Sequence, residues 1–224
     1  GTAGTSGMLV FSTGTSSAGN SGGLIIGSGA ATGGRGGMVT ISAGSGTSGM
    51  GGALSVLSGR STVNTGGQLS VESGEGTATS SGVIAVRSAN SGAAGVSGRL
   101  VFSSGSAVSG NTGALFVGSG VATGGRAGMV SIRAGSGTSG MGGAVSVLSG
   151  RSTVNSGGAL SLESGEGTAT SSGVISIRSA NAGTIGVSGR LVFGSGSAGS
   201  GNSGAVYLGS GVSTGGRSGI VSIS

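Results

Sequence analysis

A glycine opens the same short phrase fifteen times in this chain: glycine, any residue, an apolar residue, any residue, an apolar residue. The anchors run from Gly7, Gly22, Gly37, Gly52, Gly67 and Gly82 through Gly98, Gly113, Gly128, Gly143, Gly158 and Gly173 to Gly189, Gly204 and Gly219. Self-similarity at a fixed short period means one small element copied along the chain, and it limits the architecture to a repeat array. A slower period lies on top of it. Five steps of fifteen residues and one of sixteen carry Gly7 to Gly98 and Gly98 to Gly189, so Phe11, Phe102 and Phe193 correspond, as do Arg35, Arg126 and Arg217.

With each anchor counted as position zero, positions two and four are apolar in all fifteen copies, from Leu9 and Phe11 to Val221 and Ile223. Alternation at period two is the strand signal. A second glycine stands at position seven in twelve of the fourteen complete copies, and Ala89 and Ala180 replace it in the other two. Two turn glycines per fifteen residues predict two short strands per coil, the second carrying small residues such as Ser61 with Val63 and Gly76 with Ala78. The expected fold is therefore all-β: a two-layer β-solenoid of about fifteen residues per coil with a six-coil, ninety-one-residue super-repeat.

At a strand spacing of about 4.8 Å, six such coils would advance roughly 29 Å. The extra residue falls in Ala93–Ser97 and again in Thr184–Ser188, predicting a small bulge in one coil of six. Glycine serves this design by taking positive backbone angles and by letting two backbones approach. Helix is excluded, because glycine costs about 1 kcal/mol at each interior helical position relative to alanine. Residues 1–224 read as one continuous array, with super-repeats 7–97, 98–188 and a partial 189–224. Both ends fall within a coil and no polar cap is written there, so a segment of a longer array is expected.

Composition narrows the function by elimination. The chain has 59 glycines among 224 residues, and it lacks histidine, cysteine, aspartate, lysine, tryptophan and proline. The usual bases, nucleophiles and metal ligands are mostly gone, so neither an enzyme nor a resident cofactor or metal is expected. Calcium-binding nonapeptide solenoids need an aspartate in every turn, and the Gly33–Gly37 string lacks the lysine and helix of a phosphate-binding loop. Ten arginines against four glutamates give a net charge of +6, but they are spread singly with few aromatics, which argues against nucleic acid as a partner. There is no run of about eighteen apolar residues, so no transmembrane segment is expected.

Three sets of residues stand out. The glutamates pair with arginines one coil away: Arg60 with Glu75, Glu72 with Arg87, Arg151 with Glu166 and Glu163 with Arg178. Cross-strand ladder ion pairs of this kind would contribute about 0.2–1 kcal/mol each and help fix register. Threonine recurs at position ten as Thr32, Thr47, Thr62 and Thr77, then as Thr123, Thr138, Thr153 and Thr168, with Thr214 opening a third set. A flat threonine row resembles the ice-binding face of insect-type antifreeze solenoids, although Arg60, Glu75 and Asn90 stand beside it.

The third set is apolar at positions expected to face outward. Val10 and Ile25 return as Val101 and Phe116 and then as Val192 and Tyr207, with Met8, Arg99 and Arg190 at position one beside them. Exposed apolar clusters imply partners, and a patch that recurs every ninety-one residues implies a periodic one. Copies of the same chain, packed laterally and end to end, are the expected partners, with glycans as a further class.

The run GGAVSVLSGRSTVNSGGALSLESGEGTATSSGVISIRS, Gly142 to Ser179, resembles the Gly/Ser/Thr-rich tandem arrays of large extracellular proteins in diatoms, oomycetes and other algal or stramenopile lineages. Some of those arrays are associated with cell surfaces or flagellar hairs. The resemblance covers the full chain in composition and rhythm, and it implies an extracellular, self-assembling filament component. The expected function is thus structural, the shaft of an extracellular fibre or hair. A surface-binding module, an adhesin stalk or ice-binding solenoid using a Thr/Ser face, is the alternative.

Overall fold

The computed structural model of the chain describes residues 6–223, and among them there is neither helix nor strand. The two-layer β-solenoid is overturned. Its two invariant aliphatic columns were to be hidden between layers, yet Leu54, Val56, Val145 and Val147 are 57–67 % exposed. No hydrophobic core exists among the described residues. The chain divides into two segments, Gly1–Ala114 and Leu115–Ser224, and the division falls inside the second super-repeat.

What recurs instead, at seven of the fourteen junctions between repeats, is a closed loop. The amide of Gly52 donates to the carbonyl of Gly44 at 2.8 Å, and the same bond joins Gly67 to Gly59 and Gly82 to Gly74 in the first segment. In the second segment Gly143 bonds to Gly135, Gly158 to Gly150 and Gly173 to Gly165, each at 2.9 Å. Position seven of one repeat is thereby tied to the anchor of the next, eight residues on. Between them the chain bends once, at positions ten to twelve, as at 47–49, 62–64 and 138–140.

That single bend explains why the second strand is missing. The small residues at positions nine to twelve, expected to form an opposing layer, are the bend itself. The glycine at position seven is not a turn either; it is the acceptor at the loop's neck. A hairpin ladder would need further bonds beyond the neck, and the residues between anchor and position seven carry none in the described chain. With 59 glycines to immobilise, each costing more backbone entropy than any other residue, ordering a sheet is expensive for this chain.

Many of the anchor glycines stand at a close approach at the neck, tightest at Gly37, Gly98, Gly128, Gly143 and Gly189. At all fourteen anchors from Gly22 to Gly219, a Cβ would come within 2.9–3.7 Å of the Cβ at position six of the preceding repeat. At Gly52 it would also meet the backbone nitrogen and oxygen of Gly44, each at 3.3 Å. Positive backbone angles, the other expected use of glycine, occur only at Gly186 among the described residues.

The bend has two local chemistries. At three of the five serines of position nine the hydroxyl accepts the amide of position twelve: Gly19 to Ser16 at 3.0 Å, Asn64 to Ser61 at 2.8 Å and Asn155 to Ser152 at 2.9 Å. Such local bonds to serine satisfy backbone donors that no ladder takes up. Where position nine is glycine, the backbone closes into the space a side chain would fill. Carbonyls of Gly49 and Met50 stand 2.6 and 2.7 Å from a Cβ on Gly46, and the carbonyl of Ser80 occupies that place at Gly76. Gly76 and Gly167 are the two half-buried positions in an otherwise exposed chain, among the described residues.

The sixteen-residue repeats differ where the extra residue was expected. The bend shifts by one position, to 93–95 and 184–186, and a tight turn closes from the Gly95 amide to the Gly92 carbonyl at 3.3 Å. With no strand to interrupt, the added residue is taken up as a shifted bend, not as a β-bulge.

Candidate interaction surface

Position two keeps a distinct exposure without a sheet. In every repeat but the first its side chain is the least exposed large apolar one, from 47 % at Leu191 and Val221 to 60 % at Leu54 and Val206, while the large apolar residues at position one lie between 82 and 91 %. Position four, like the position-three residues Val10, Val101 and Val192, stands well exposed, and both invariant aliphatics of each repeat are uncovered. Every one of the fourteen charged side chains lies off those columns, at positions one, five, eight or thirteen.

The expected lateral patch is exposed throughout. Ile25, Phe116 and Tyr207 stand almost free in solvent, and Met8, Val10, Val101 and Val192 are exposed as well. Arg99 and Arg190 lie beside them on the surface. Each presents its own apolar surface to solvent.

The ladder ion pairs depended on stacked coils, and the rungs that would set Glu72 opposite Arg87 or Arg60 opposite Glu75 do not form. The partners seen for two of the carboxylates are local: the Ser70 hydroxyl donates to Glu72 Oε1 at 3.1 Å, and Ser161 donates to Glu163 Oε1 at 3.5 Å. Arg87 and Arg178 instead line open concavities of about 320 and 280 Å³, with Ser88, Ala89 and Asn90 and with Ser179, Ala180 and Asn181. Both concavities sit in the sixteen-residue repeats, where alanine replaces the position-seven glycine. Neither brings a nucleophile to a base.

The threonines of position ten do not form a flat row. Thr32, Thr47, Thr62, Thr77, Thr123, Thr138, Thr153, Thr168 and Thr214 each begin a bend and stand exposed at its apex. A solenoid ice-binding face needs its hydroxyls on a flat sheet, and no strand forms among the described residues.

Position six is a set of residues that period-two reasoning passed over. It is serine in eleven of fourteen copies and otherwise Thr13, Ala43 or Ala134. Its side chain packs against the next anchor, so only a small one fits. In the first two loops its hydroxyl also closes the neck: Thr13 Oγ1 donates to the Gly22 carbonyl at 3.0 Å and Ser28 Oγ to the Gly37 carbonyl at 2.7 Å. The signal was in the sequence as a column without a single large residue.

Among the described residues no group of three or more His, Cys, Asp or Glu side chains could hold a metal, and no helix is long and apolar enough to cross a membrane. Comparison with protein-family models, with curated proteins and with solved structures finds no match.

Proposed function

We propose that the protein is a structural component of an extracellular fibre or hair, held together by lateral association of many copies. The observation that carries this reading is the uncovered aliphatic pair in every repeat, thirty side chains placed at a fixed period and kept clear of charge. Apolar surface of that extent drives association. A periodic array of it suits a periodic partner better than a single small ligand. The recurrent patch of Val10, Ile25, Val101, Phe116, Val192 and Tyr207 adds a second contact at the longer period. Glycans are the further partner class, with the exposed hydroxyls at the bend apices as their points of contact.

Antibody labelling of intact source cells, read by electron microscopy, tests this function. The expected result is label on filaments or hairs outside the cell. Label confined to the cell interior, or protein recovered only as a soluble monomer, overturns it.

A further inference from the structure

The two complete sixteen-residue repeats each carry an arginine in an open concavity. Arg87, Ser88, Ala89 and Asn90 line one of about 320 Å³, and ninety-one residues on Arg178, Ser179, Ala180 and Asn181 line one of about 280 Å³. Small-ligand sites begin at about that size. We propose that each concavity binds one acidic group of a polysaccharide, a carboxylate or a sulfate, with the arginine as its charge partner. The inference rests on glycans as the partner class named above, identifies the charged members of that class, and needs no association between copies.

Three observations select the ligand. The first is the lining: a guanidinium is a planar fork of N–H donors matched to two oxygens of one anion, and the serine hydroxyl and asparagine amide are further donors. No carboxylate lines either concavity. The second is charge along the chain. Residues 76–162 and 167–224 hold neither Asp nor Glu, and Glu72, the carboxylate expected opposite Arg87, takes its hydrogen bond from Ser70. The place of a counter-ion is left to an external anion. The third is the neck. Among the described residues the backbone bond from the anchor to position seven is not made between Gly98 and Ala89 or between Gly189 and Ala180. The remaining arginine at position five, Arg133, stands in a repeat whose neck is closed by Gly143 and Gly135 at 2.9 Å. Arginine at position five and an open neck thus coincide in these two repeats alone. Each site has a single guanidinium and no aromatic ring, which suits one anionic group on a sugar better than a phosphate-dense, stacking nucleic acid.

The test is an NMR titration of the dilute full chain at about 0.15 M ionic strength, where diffuse attraction to the +6 charge is screened beyond about 8 Å. The probes are oligomers of polygalacturonate for the carboxylate and of dextran sulfate for the sulfate, with neutral dextran and a single-stranded oligonucleotide beside them. Three proteins are compared: the unmodified chain, Arg87→Gln with Arg178→Gln, and Arg60→Gln with Arg151→Gln, which removes the same charge from other repeats. Saturable shifts at residues 87–90 and 178–181 are expected with at least one acidic polysaccharide, and the one that produces them identifies the acidic group. Binding should weaken about tenfold in the second protein and hold in the third. Equal loss in the second and third proteins, or shifts spread over all ten arginines, would reduce the effect to net charge and overturn the inference. Neutral dextran that binds as well as the acidic oligomers overturns it while leaving the wider glycan reading in place. Tighter binding of the oligonucleotide overturns it in favour of phosphate. Binding of no probe removes both the site and the glycan partners, and leaves the filament function to its own labelling test.

Discussion

The amide of Gly52 donates to the carbonyl of Gly44 at 2.8 Å, while a Cβ on Gly52 would stand 3.3 Å from the Gly44 nitrogen and oxygen and 3.4 Å from the Ala43 Cβ. Bond and close approach occur at the same point, and together they account for glycine at this anchor and at Gly67, Gly82, Gly143 and Gly158, where the same backbone bond and approach recur. The neck closes a loop of nine residues, and closing so short a loop costs little more than ordering its bend.

Glycines of one repeat should tolerate alanine very unequally. Gly76→Ala places a methyl group where the Ser80 carbonyl lies, whereas Gly74→Ala meets nothing within 4 Å. Backbone chemical shifts of residues 76–82 are expected to move in Gly76→Ala and to stay near the parent values in Gly74→Ala. Equal shifts in the two variants would remove the tight bend from the account.

Ser61 accepts the Asn64 amide at 2.8 Å and the Val63 amide at 3.4 Å. Ser61→Ala should release both, costing about 0.5–1.5 kcal/mol of local order, toward the low end because water replaces the hydroxyl at an exposed site. Ser61→Asp keeps an acceptor and should retain the bend. The temperature coefficient of the Asn64 amide, measured in the three proteins, reads the difference directly.

A chain without a buried core has little heat capacity to release. A folded domain of 224 residues would unfold with a heat-capacity change of about 3 kcal/mol/K and a cooperative endotherm. Calorimetry of the dilute chain, below the concentration at which it assembles, is expected to show no such peak. A sharp transition with that heat capacity would mean that a core exists in the single chain.

Salt should promote association. Copies of net charge +6 repel one another, and the Debye length falls from about 30 Å at 0.01 M to about 8 Å at 0.15 M ionic strength. The apolar columns carry no charge for salt to weaken. Light scattering at fixed protein concentration is expected to rise between those two conditions. A fall would mean that arginine–glutamate attraction, not apolar contact, holds the copies together.

Part of the local order was legible in the sequence. Position two is the less exposed of the apolar positions, as Leu191 at 47 % against Val192 and Phe193 at 69 % each, but the alternation that predicted strands did not carry over to position four. The close approach behind the anchor glycines was foreseen in kind, and the irregularity near Ala93 and Thr184 in place. The sheet was not. Period-two alternation says which residues face the same way, not what lies against them, so Leu54 and Val56 look alike whether covered or bare. Glycine at position seven was ambiguous for a related reason: a turn and a close approach both demand it, and only the bond from Gly52 to Gly44 separates the two. The bend serines and position six were readable in principle, because a column restricted to Ser, Thr and Ala records a steric limit.

Each neck that is sealed is sealed by residues from two adjacent copies and by nothing farther along the chain. Removing or duplicating one fifteen-residue phrase would leave all the remaining loops intact. Length is therefore a free variable for such a gene, open to drift through unequal recombination, and reach can change from one descendant to the next without any new fold having to be found.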